Sequence, residues 1–261
     1  MGRSQIETEE IAVEEVTDVE VESPVLIEGL PGVGHVGKLV SDHIVGEFES
    51  EVVRRIYSQH FPPQSEVDDE GMAELVSIEL HHCEVEGNDF LVLTGDHQSQ
   101  TMDGHYKITG RVLDIAEEFG VERVYTLGGV PTGELVEEYD VYGAANDRDF
   151  LEETKELGVD FESDEPAGGI VGISGLLLGL GEQRGVPAVC LMGETSGYMV
   201  DPKSAQAVLE VLTQALGFEV DMEELEERAE EMEEVVQRLQ DMNQIQQSPS
   251  AAGDNDLRYI G

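Results

Sequence analysis

Short apolar runs alternate with helix-patterned segments along residues 24–217, and this alternation is the strongest constraint on the fold. Runs typical of buried strands occupy residues 24–28, 52–57, 124–127 and 187–192. Segments with helical periodicity occupy residues 35–48, 106–119, 147–157, 170–182 and 202–216. Glycines at positions 120, 158 and 217 directly follow three of these segments, where left-handed helix caps are expected. A parallel sheet covered by helices on both faces has this arrangement of elements.

A hairpin interrupts the alternation. Residues 74–82 and 90–94 are both strand-like, and the segment between them contains Glu86-Gly87-Asn88-Asp89, a turn sequence. The strands of a hairpin run antiparallel, so the sheet must be mixed. We therefore predict one α/β domain in which helices cover a mainly parallel but mixed sheet.

The two ends of the chain differ from this domain. Residues 1–23 form an acidic N-terminal segment, residues 218–243 are predicted to form an acidic helix, and residues 244–261 a flexible tail. The predicted helix has apolar residues in steps of three and four, at Met222, Leu225, Ala229, Met232, Val236 and Leu239. This stripe could pack on its own domain or on a neighbouring subunit, where it would support oligomerisation. The tail ends in Leu257-Arg258-Tyr259-Ile260-Gly261, an apolar and aromatic terminus that is typical of an interaction device.

The charge balance is extreme, with 58 acidic and 14 basic residues and a formal net charge of −44. Such a charge density repels itself, but molar salt shortens the screening length to about 3 Å and makes it tolerable. We therefore predict a protein of the cytosol of an extreme halophile. Binding to nucleic acid requires clustered Lys and Arg, so DNA and RNA are not expected as partners.

No feature of the sequence indicates secretion or a membrane. Cys83 and Cys190 each lie in an apolar run and are predicted to be buried thiols rather than a disulfide. The first residues lack the pattern of a signal peptide, and the long apolar stretch at 168–181 is glycine-rich and too short to span a bilayer. We expect a cytoplasmic protein.

The loop after the first predicted strand contains Gly32, Gly34 and Gly37 in the spacing G-x-G-x-x-G. A dinucleotide site also needs an acidic residue at the tip of the next strand, but residues 52–57 are followed by Ser58-Gln59-His60. A phosphate-binding loop needs Ser or Thr after Lys38, where Leu39 stands. The favoured interpretation is a turn followed by a helix that approaches the sheet closely.

Polar residues follow two other predicted strands, at Asp96-His97 and Glu194-Thr195. Together with Gly32 and Gly34 they could line a pocket, because ligands of open α/β sheets lie beyond the carboxyl ends of the strands. They could equally cap helices or satisfy the loop backbone. No metal site is predicted, since His81 and His82 point to opposite faces of a strand and cannot both bind one ion. No catalytic residue and no cofactor are predicted either.

Four segments together carry a family resemblance over residues 24–217. They are PVLIEGLPGVGHVGKLVSDHIV, LVLTGDHQ, YKITGRVLDIAEEFGVERVYTLGGVPTG and GGIVGISGLLLGLGEQRGVPAVCLMGETSGYMVDPKSAQAVLEVLTQALG. In this order they resemble the archaeal branch of the proteasome assembly chaperone family. The resemblance implies a three-layer α/β/α sandwich over residues 24–217, with a mainly parallel mixed sheet and similar to the nucleoside phosphorylase fold. It also implies self-association, commonly as trimers or tetramers, and binding to proteasome subunits or the assembled core particle. We therefore expect a protein that docks on core-particle α subunits without catalysis.

The resemblance also implies a role for the chain end. Archaeal relatives engage the proteasome through a C-terminal hydrophobic–tyrosine–any motif, which Leu257, Arg258, Tyr259, Ile260 and Gly261 match in character. Tyr259 is third from the end, whereas the motif has its tyrosine second.

The competing class is an enzyme of phosphorylase-like fold, of the nucleoside phosphorylase or carboxylate–amine ligase type. A phosphorylase would need cations for phosphate, for which Lys38 and Arg111 are among the few available.

Overall fold

A computed structural model describes residues 9–136, 138–161, 169–232 and 235. The strands are β1 (Ile11–Glu15), β2 (Val25–Glu28), β3 (Ser50–Ser58), β4 (Ser65–Val67), β5 (Ala73–Leu75), β6 (Ile78–Val85), β7 (Asn88–Gly95), β8 (Arg123–Pro131), β9 (Val141–Ala145) and β10 (Ala188–Thr195). The helices are α1 (Val36–Glu47), α2 (Met102–Glu118), α3 (Arg148–Lys155), α4 (Gly172–Arg184), α5 (Pro202–Leu216) and α6, residues 223–232. A single 3₁₀ turn, Val33–His35, leads into α1.

Eight of these strands form one mixed sheet in the order β1-β3-β6-β7-β2-β8-β10-β9. Its central strands β7, β2, β8 and β10 run parallel to one another, which makes three parallel pairings. The other four strand pairings of the sheet are antiparallel. The predicted α/β/α sandwich with a mixed sheet is confirmed. The sheet is less parallel than the sequence suggested. Strands β1, β3 and β6 add antiparallel pairings on one side of the parallel centre, and β9 adds one on the other side.

Alternating side chains along the central strands divide the core into two layers. Leu26 and Leu91 pack against α2 and α4 on one face, while Ile27 and Val92 pack against α1 and α5 on the other. All four are at most 1% exposed. Because both faces of the central strands are covered, their sequences are continuously apolar rather than alternating.

Three strands were not predicted from the sequence: β1, β4 and β9. The strand predicted over residues 74–82 is divided between β5 and β6. Strand β1 lies within the acidic segment 1–23 and pairs antiparallel with β3, with Val13 opposite Ile56. Its first three residues pack on the domain, whereas Glu14 and Glu15 at its end are exposed. Strand β9 pairs antiparallel with β10 at the opposite edge of the sheet.

The chain reversals agree with the sequence prediction. Gly120, Gly158 and Gly217 have φ values of +72°, +90° and +73°, which confirms the three left-handed caps. The turn between β6 and β7 is tighter than expected, since Glu86 and Gly87 alone connect the strands, both with positive φ. Cys83 and Cys190 are buried and free, as predicted.

The first part of the C-terminal stripe packs on its own domain. Leu225 is 1% exposed and Ala229 is 4% exposed, and Met222 packs against the same core. Met232 is partly exposed. Val236, Leu239 and the tail residues 257–261 lie outside the described residues, so a role of the stripe in oligomerisation stays a prediction. None of the helices among the described residues has the length and apolarity that a bilayer crossing requires.

Candidate functional site

The carboxyl ends of the four parallel strands meet at one edge of the sheet. Strand β2 leads into α1 on one face, whereas its neighbour β7 leads into α2 on the other face. Open α/β sheets bind ligands at such a switch point. The loops that follow β2, β7 and β10, together with the segment before α4, therefore form the candidate functional region.

Glycines in the loop after β2 let α1 lie close to the sheet. Gly34 has φ +63°, and a β-carbon there would lie 2.8 Å from Thr195 Oγ1. A β-carbon on Gly37 would overlap the backbone carbonyl of Leu127 in β8. The close-approach interpretation of this glycine spacing is thus confirmed. Gly32, by contrast, is exposed and no atom crowds it, so it forms part of the outer surface.

Lys38 on α1 is held between two carboxylates. Its Nζ lies 2.7 Å from Asp42 and 2.9 Å from Asp96. Partial burial disfavours the ammonium, but the hydrogen bonds and charges of the two carboxylates outweigh it and raise the pKa of Lys38. Thr94 donates a hydrogen bond of 2.7 Å to Asp42 and accepts one of 3.1 Å from Ser41. Lys38, a cation that a phosphorylase could use, is therefore already paired within the fold.

The side chains after β7 point to three different neighbours. Asp96 pairs with Lys38, and His97 Nε2 lies 3.1 Å from Glu66 in β4. Gln98 Nε2 donates to the carbonyl of Pro31 at 2.6 Å, and Gln98 Oε1 accepts from the backbone N–H of Ile173 at 3.4 Å. Gln98 thus ties the loop after β2 to the start of α4, a role that the sequence did not indicate.

The end of β10 contributes buried rather than open groups. Thr195 is fully buried beneath Gly34, while Glu194 is partly buried and its backbone N–H donates to the carbonyl of Asp140 at 2.9 Å. The six pocket candidates therefore share one edge of the sheet, where Gly34 lies against Thr195. They are Gly32, Gly34, Asp96, His97, Glu194 and Thr195. Their role as a ligand pocket stays a prediction.

Glu28, the last residue of β2, is a buried carboxyl group at this edge. It is 0% exposed, and burial raises its pKa to about 7, against the effect of hydrogen bonds from Ser174 and from the backbone N–H of Leu30. Oε1 accepts the Leu30 bond at 3.2 Å, whereas Oε2 has no hydrogen-bond partner among the described residues. Sequence reasoning missed this residue, although an acidic residue that ends an apolar run was a usable signal.

Residues 29–35, 97–102, 169–174 and 196–200 form a large part of the outer surface of this edge, and we call them the carboxyl-edge surface. The loop after β8, residues 132–136, borders them where Gly133 lies against Tyr198, and it carries the exposed Glu134. Gln98 connects the first three segments through its two hydrogen bonds. A β-carbon on Gly197 would lie 3.5 Å from Val33 Cγ1, which connects the fourth. The four segments therefore form one continuous surface.

The carboxyl-edge surface is apolar and contains no acidic residue. Met102, Val171 and Tyr198 are 87%, 84% and 78% exposed, and Val33 and Val200 are also exposed. Its 24 residues, of which seven are buried, contain no Asp or Glu, whereas the bordering loop after β8 carries the exposed Glu134. Such a surface is suited to contact with another apolar surface rather than to chemistry on a charged substrate.

Metal chemistry has no support in the described residues, which contain no group of three or more His, Cys, Asp or Glu arranged to hold an ion. His81 lies 3.3 Å from Glu79, and His82 lies 2.7 Å from Asp89. Each of these histidines has its own carboxylate partner within the sheet.

Comparisons with known proteins agree with this geometry. A protein of Pyrococcus furiosus described as PbaB, an archaeal proteasome activator, is 36% identical and has a TM-score of 0.83, covering 88% of this chain and 99% of that chain. PbaA of the same organism, described as an archaeal homolog of proteasome-assembly chaperone, is 28% identical with a TM-score of 0.74, covering 89% of this chain and 93% of its own. An uncharacterised protein of Methanocaldococcus jannaschii is 39% identical over 255 residues, which are 96% of this chain and 98% of that protein. The model of the PAC2 family matches residues 26–240, and the chain belongs to that family.

Proposed function

We propose that this chain is a proteasome-binding protein of the assembly-chaperone type, which docks on core-particle α subunits and has no catalytic activity. The observation that carries the proposal is the likeness to the archaeal proteasome activator, at 36% identity and with 99% of that chain covered. Because the likeness extends over nearly the whole of that chain, it concerns the entire domain and not a single motif. The likeness to the assembly-chaperone homolog points to the same partner.

Docking is proposed to depend in part on the chain end. Leu257, Tyr259 and Ile260 would enter a pocket between α subunits, and the carboxylate of Gly261 would add a contact with a cation. As a flexible coil, a tether of about eighteen residues would reach roughly 20 to 25 Å, which would leave room for the bulky domain outside the pocket. Several tails on one homo-oligomer, a trimer or a tetramer, would bind by avidity and so compensate for weak single contacts.

A pull-down in molar KCl tests the proposal, because the charge of −44 predicts that the chain works in concentrated salt. Full-length protein and a chain ending at Asp256 are each presented to core particles and to free α subunits. A deletion of residues 246–250 is the matched control, since it removes the same number of residues and keeps the terminal five. Binding that needs the terminal five residues supports a docking factor for the assembled ring. Binding that survives their loss moves the interface to the domain and favours an assembly chaperone.

A further inference from the structure

We propose that a buried water molecule is bound between Glu28 and Thr126, where it joins strands β2 and β8 beneath the carboxyl-edge surface. Both residues are 0% exposed, and neither Glu28 Oε2 nor Thr126 Oγ1 has a hydrogen-bond partner among the described residues. Buried oxygens without partners cost stability, and internal waters commonly supply the missing bonds. The inference goes beyond the proposed function, since it concerns the domain itself and requires no proteasome.

The register of the sheet brings the two side chains together. Glu28 lies directly opposite Thr126, and Thr126 lies directly opposite Cys190 in β10. Neighbouring strands are about 4.8 Å apart and residues in register point to the same face, so the carboxyl group and the hydroxyl group are neighbours. They form no direct hydrogen bond in the described part of the chain. A polar gap of this kind is one that a single water can bridge.

Short side chains leave room for a water at this place. The row that crosses the sheet on this face continues from Thr126 to Cys190 and then to Ala144 in β9. Helix α4 packs on β8 and β10 and contributes Ser174 from its first turn. The side chains on both the sheet and the helix are therefore small, and one water takes a share of about 30 Å³ in the liquid.

The surrounding groups offer about the three hydrogen bonds that internal waters usually form. Burial raises the pKa of Glu28 to about 7, so near pH 6 the carboxyl group keeps a proton that Oε2 can donate to the water. The water can in turn donate to the hydroxyl oxygens of Thr126 and Ser174. The thiol of Cys190 beside Thr126 is a weak hydrogen-bonding group and does not replace the water as a partner.

A cation is a poorer occupant of the same place. Hard cations such as Ca²⁺ take about six to eight oxygen ligands. The polar side chains here are Glu28, Thr126 and Ser174, whereas Leu26 and Val124 beside them on the strands are apolar. One neutral carboxyl group in apolar surroundings suits a water, but it supplies neither the charge nor the number of ligands that a cation requires.

The water completes a chain of hydrogen bonds that positions two segments of the carboxyl-edge surface. Glu28 Oε1 accepts a bond of 3.2 Å from the backbone N–H of Leu30, in segment 29–35. Ser174, in segment 169–174, donates to the same carboxyl group. The water bound at Oε2 fixes the orientation of this carboxyl group, and through it β8 is linked to both segments.

A crystal structure of the full chain, grown in concentrated KCl near pH 6 and refined at high resolution, tests the proposal directly. One water is expected within about 2.6–3.2 Å of both Glu28 Oε2 and Thr126 Oγ1. Exchange of KCl for RbCl replaces K⁺ by an anomalous scatterer, so an anomalous peak at this place would reveal a cation instead. That result, an empty gap, or a direct bond between the two side chains would overturn the proposal.

Denaturant unfolding gives an independent test in solution. Thr126→Val keeps the shape of the side chain and removes its hydroxyl group. If a water is bound there, it loses a partner and the unfolding midpoint falls, whereas removal of a hydroxyl that had no partner raises the midpoint. An unchanged or raised midpoint would therefore count against the bound water.

A shared water also couples the two residues energetically. Thr126→Val should lower the midpoint less in a Glu28→Leu background than in the wild type, because the leucine no longer holds the water. Thr154→Val is the matched control: Thr154 is 1% exposed, and its hydroxyl donates a bond of 2.8 Å to the carbonyl of Phe150, in the other core layer. Its effect should be the same in both backgrounds. Equal effects of Thr126→Val in the two backgrounds would contradict the proposal.

Discussion

Gly37 of α1 lies directly against the backbone carbonyl of Leu127 in β8. This contact brings the helix onto the sheet at the point where the glycine-rich loop ends. Close packing of the helix on the sheet therefore accounts for a glycine in the G-x-G-x-x-G spacing without any need for a bound nucleotide. The contact fixes the loop after β2 and, through it, part of the carboxyl-edge surface.

Gly37→Ala should destabilise the protein, because its new methyl group would overlap that carbonyl and the helix would have to move away. Overpacking of this kind typically lowers the free energy of unfolding by about 1–3 kcal/mol. Gly46→Ala in the same helix is the control, since nothing lies within 4 Å of its β-carbon position. That substitution should raise the free energy of unfolding by about 0.5–1 kcal/mol. Denaturant unfolding of both variants measures the difference, and an equal effect of the two would contradict the packing account.

Glu28 should make stability fall as the pH rises. Burial raises its pKa to about 7 in the folded state, against an ordinary value of 4.5 for an exposed glutamate. The folded protein therefore retains a proton that the unfolded chain releases, so stability is lost between these two values, by about 3 kcal/mol at 1.4 kcal/mol per pH unit. Glu28→Gln should remove this loss.

The measurement for Glu28 compares unfolding free energies near pH 5 and near pH 8 in constant salt. The wild type should be less stable at the higher pH by more than the Glu28→Gln variant. Glu84→Gln, at an exposed position in β6, is the control and should retain the wild-type dependence. An identical pH dependence in all three proteins would show that Glu28 does not titrate in this range.

The two native thiols should be inert in the folded protein. Burial raises the pKa of Cys83 to about 11 and that of Cys190 to about 12, so near neutral pH almost no thiolate forms. A thiol reagent should label neither residue until denaturant is added, and should then label both. Tyr198→Cys should react at once under native conditions. Native labelling of wild type at the rate of that variant would contradict the burial of the two thiols.

Self-association should strengthen with salt. Raising KCl from about 0.1 M to about 1 M shortens the screening length from about 10 Å to about 3 Å, which removes repulsion between acidic copies and leaves the apolar contact intact. The dissociation constant of the oligomer, measured by analytical ultracentrifugation, should therefore fall over this range. A rise in that constant would indicate an interface held by ion pairs and would contradict this prediction.

Local signals explain how much of the fold could be predicted. Helix α5 was predicted with its observed bounds because Pro202 and Gly217 delimit a segment of clear helical periodicity. Strand β1 was not predicted, since its sequence Ile-Ala-Val-Glu-Glu has only three apolar residues before two exposed glutamates and so resembles an acidic linker. The short strand β9 carries a glycine and two alanines, a composition with little strand signal.

The candidate site depended on information that is not local. The polar residues after the strands were correctly placed at one edge, because parallel topology alone brings them there. Their partners could not be read from the sequence: Gln98 reaches Ile173 across 75 residues. The carboxyl-edge surface likewise consists of four segments whose lack of acid is visible only after the fold has joined them.

Binding of the full-length chain to proteasome core particles in molar KCl is the measurement that tests the central claim most directly. The account predicts that the full-length chain binds saturably. Binding should weaken when the chain ends at Asp256, whereas the 246–250 deletion should bind like the wild type. Failure of the full-length chain to bind either core particles or free α subunits would contradict it.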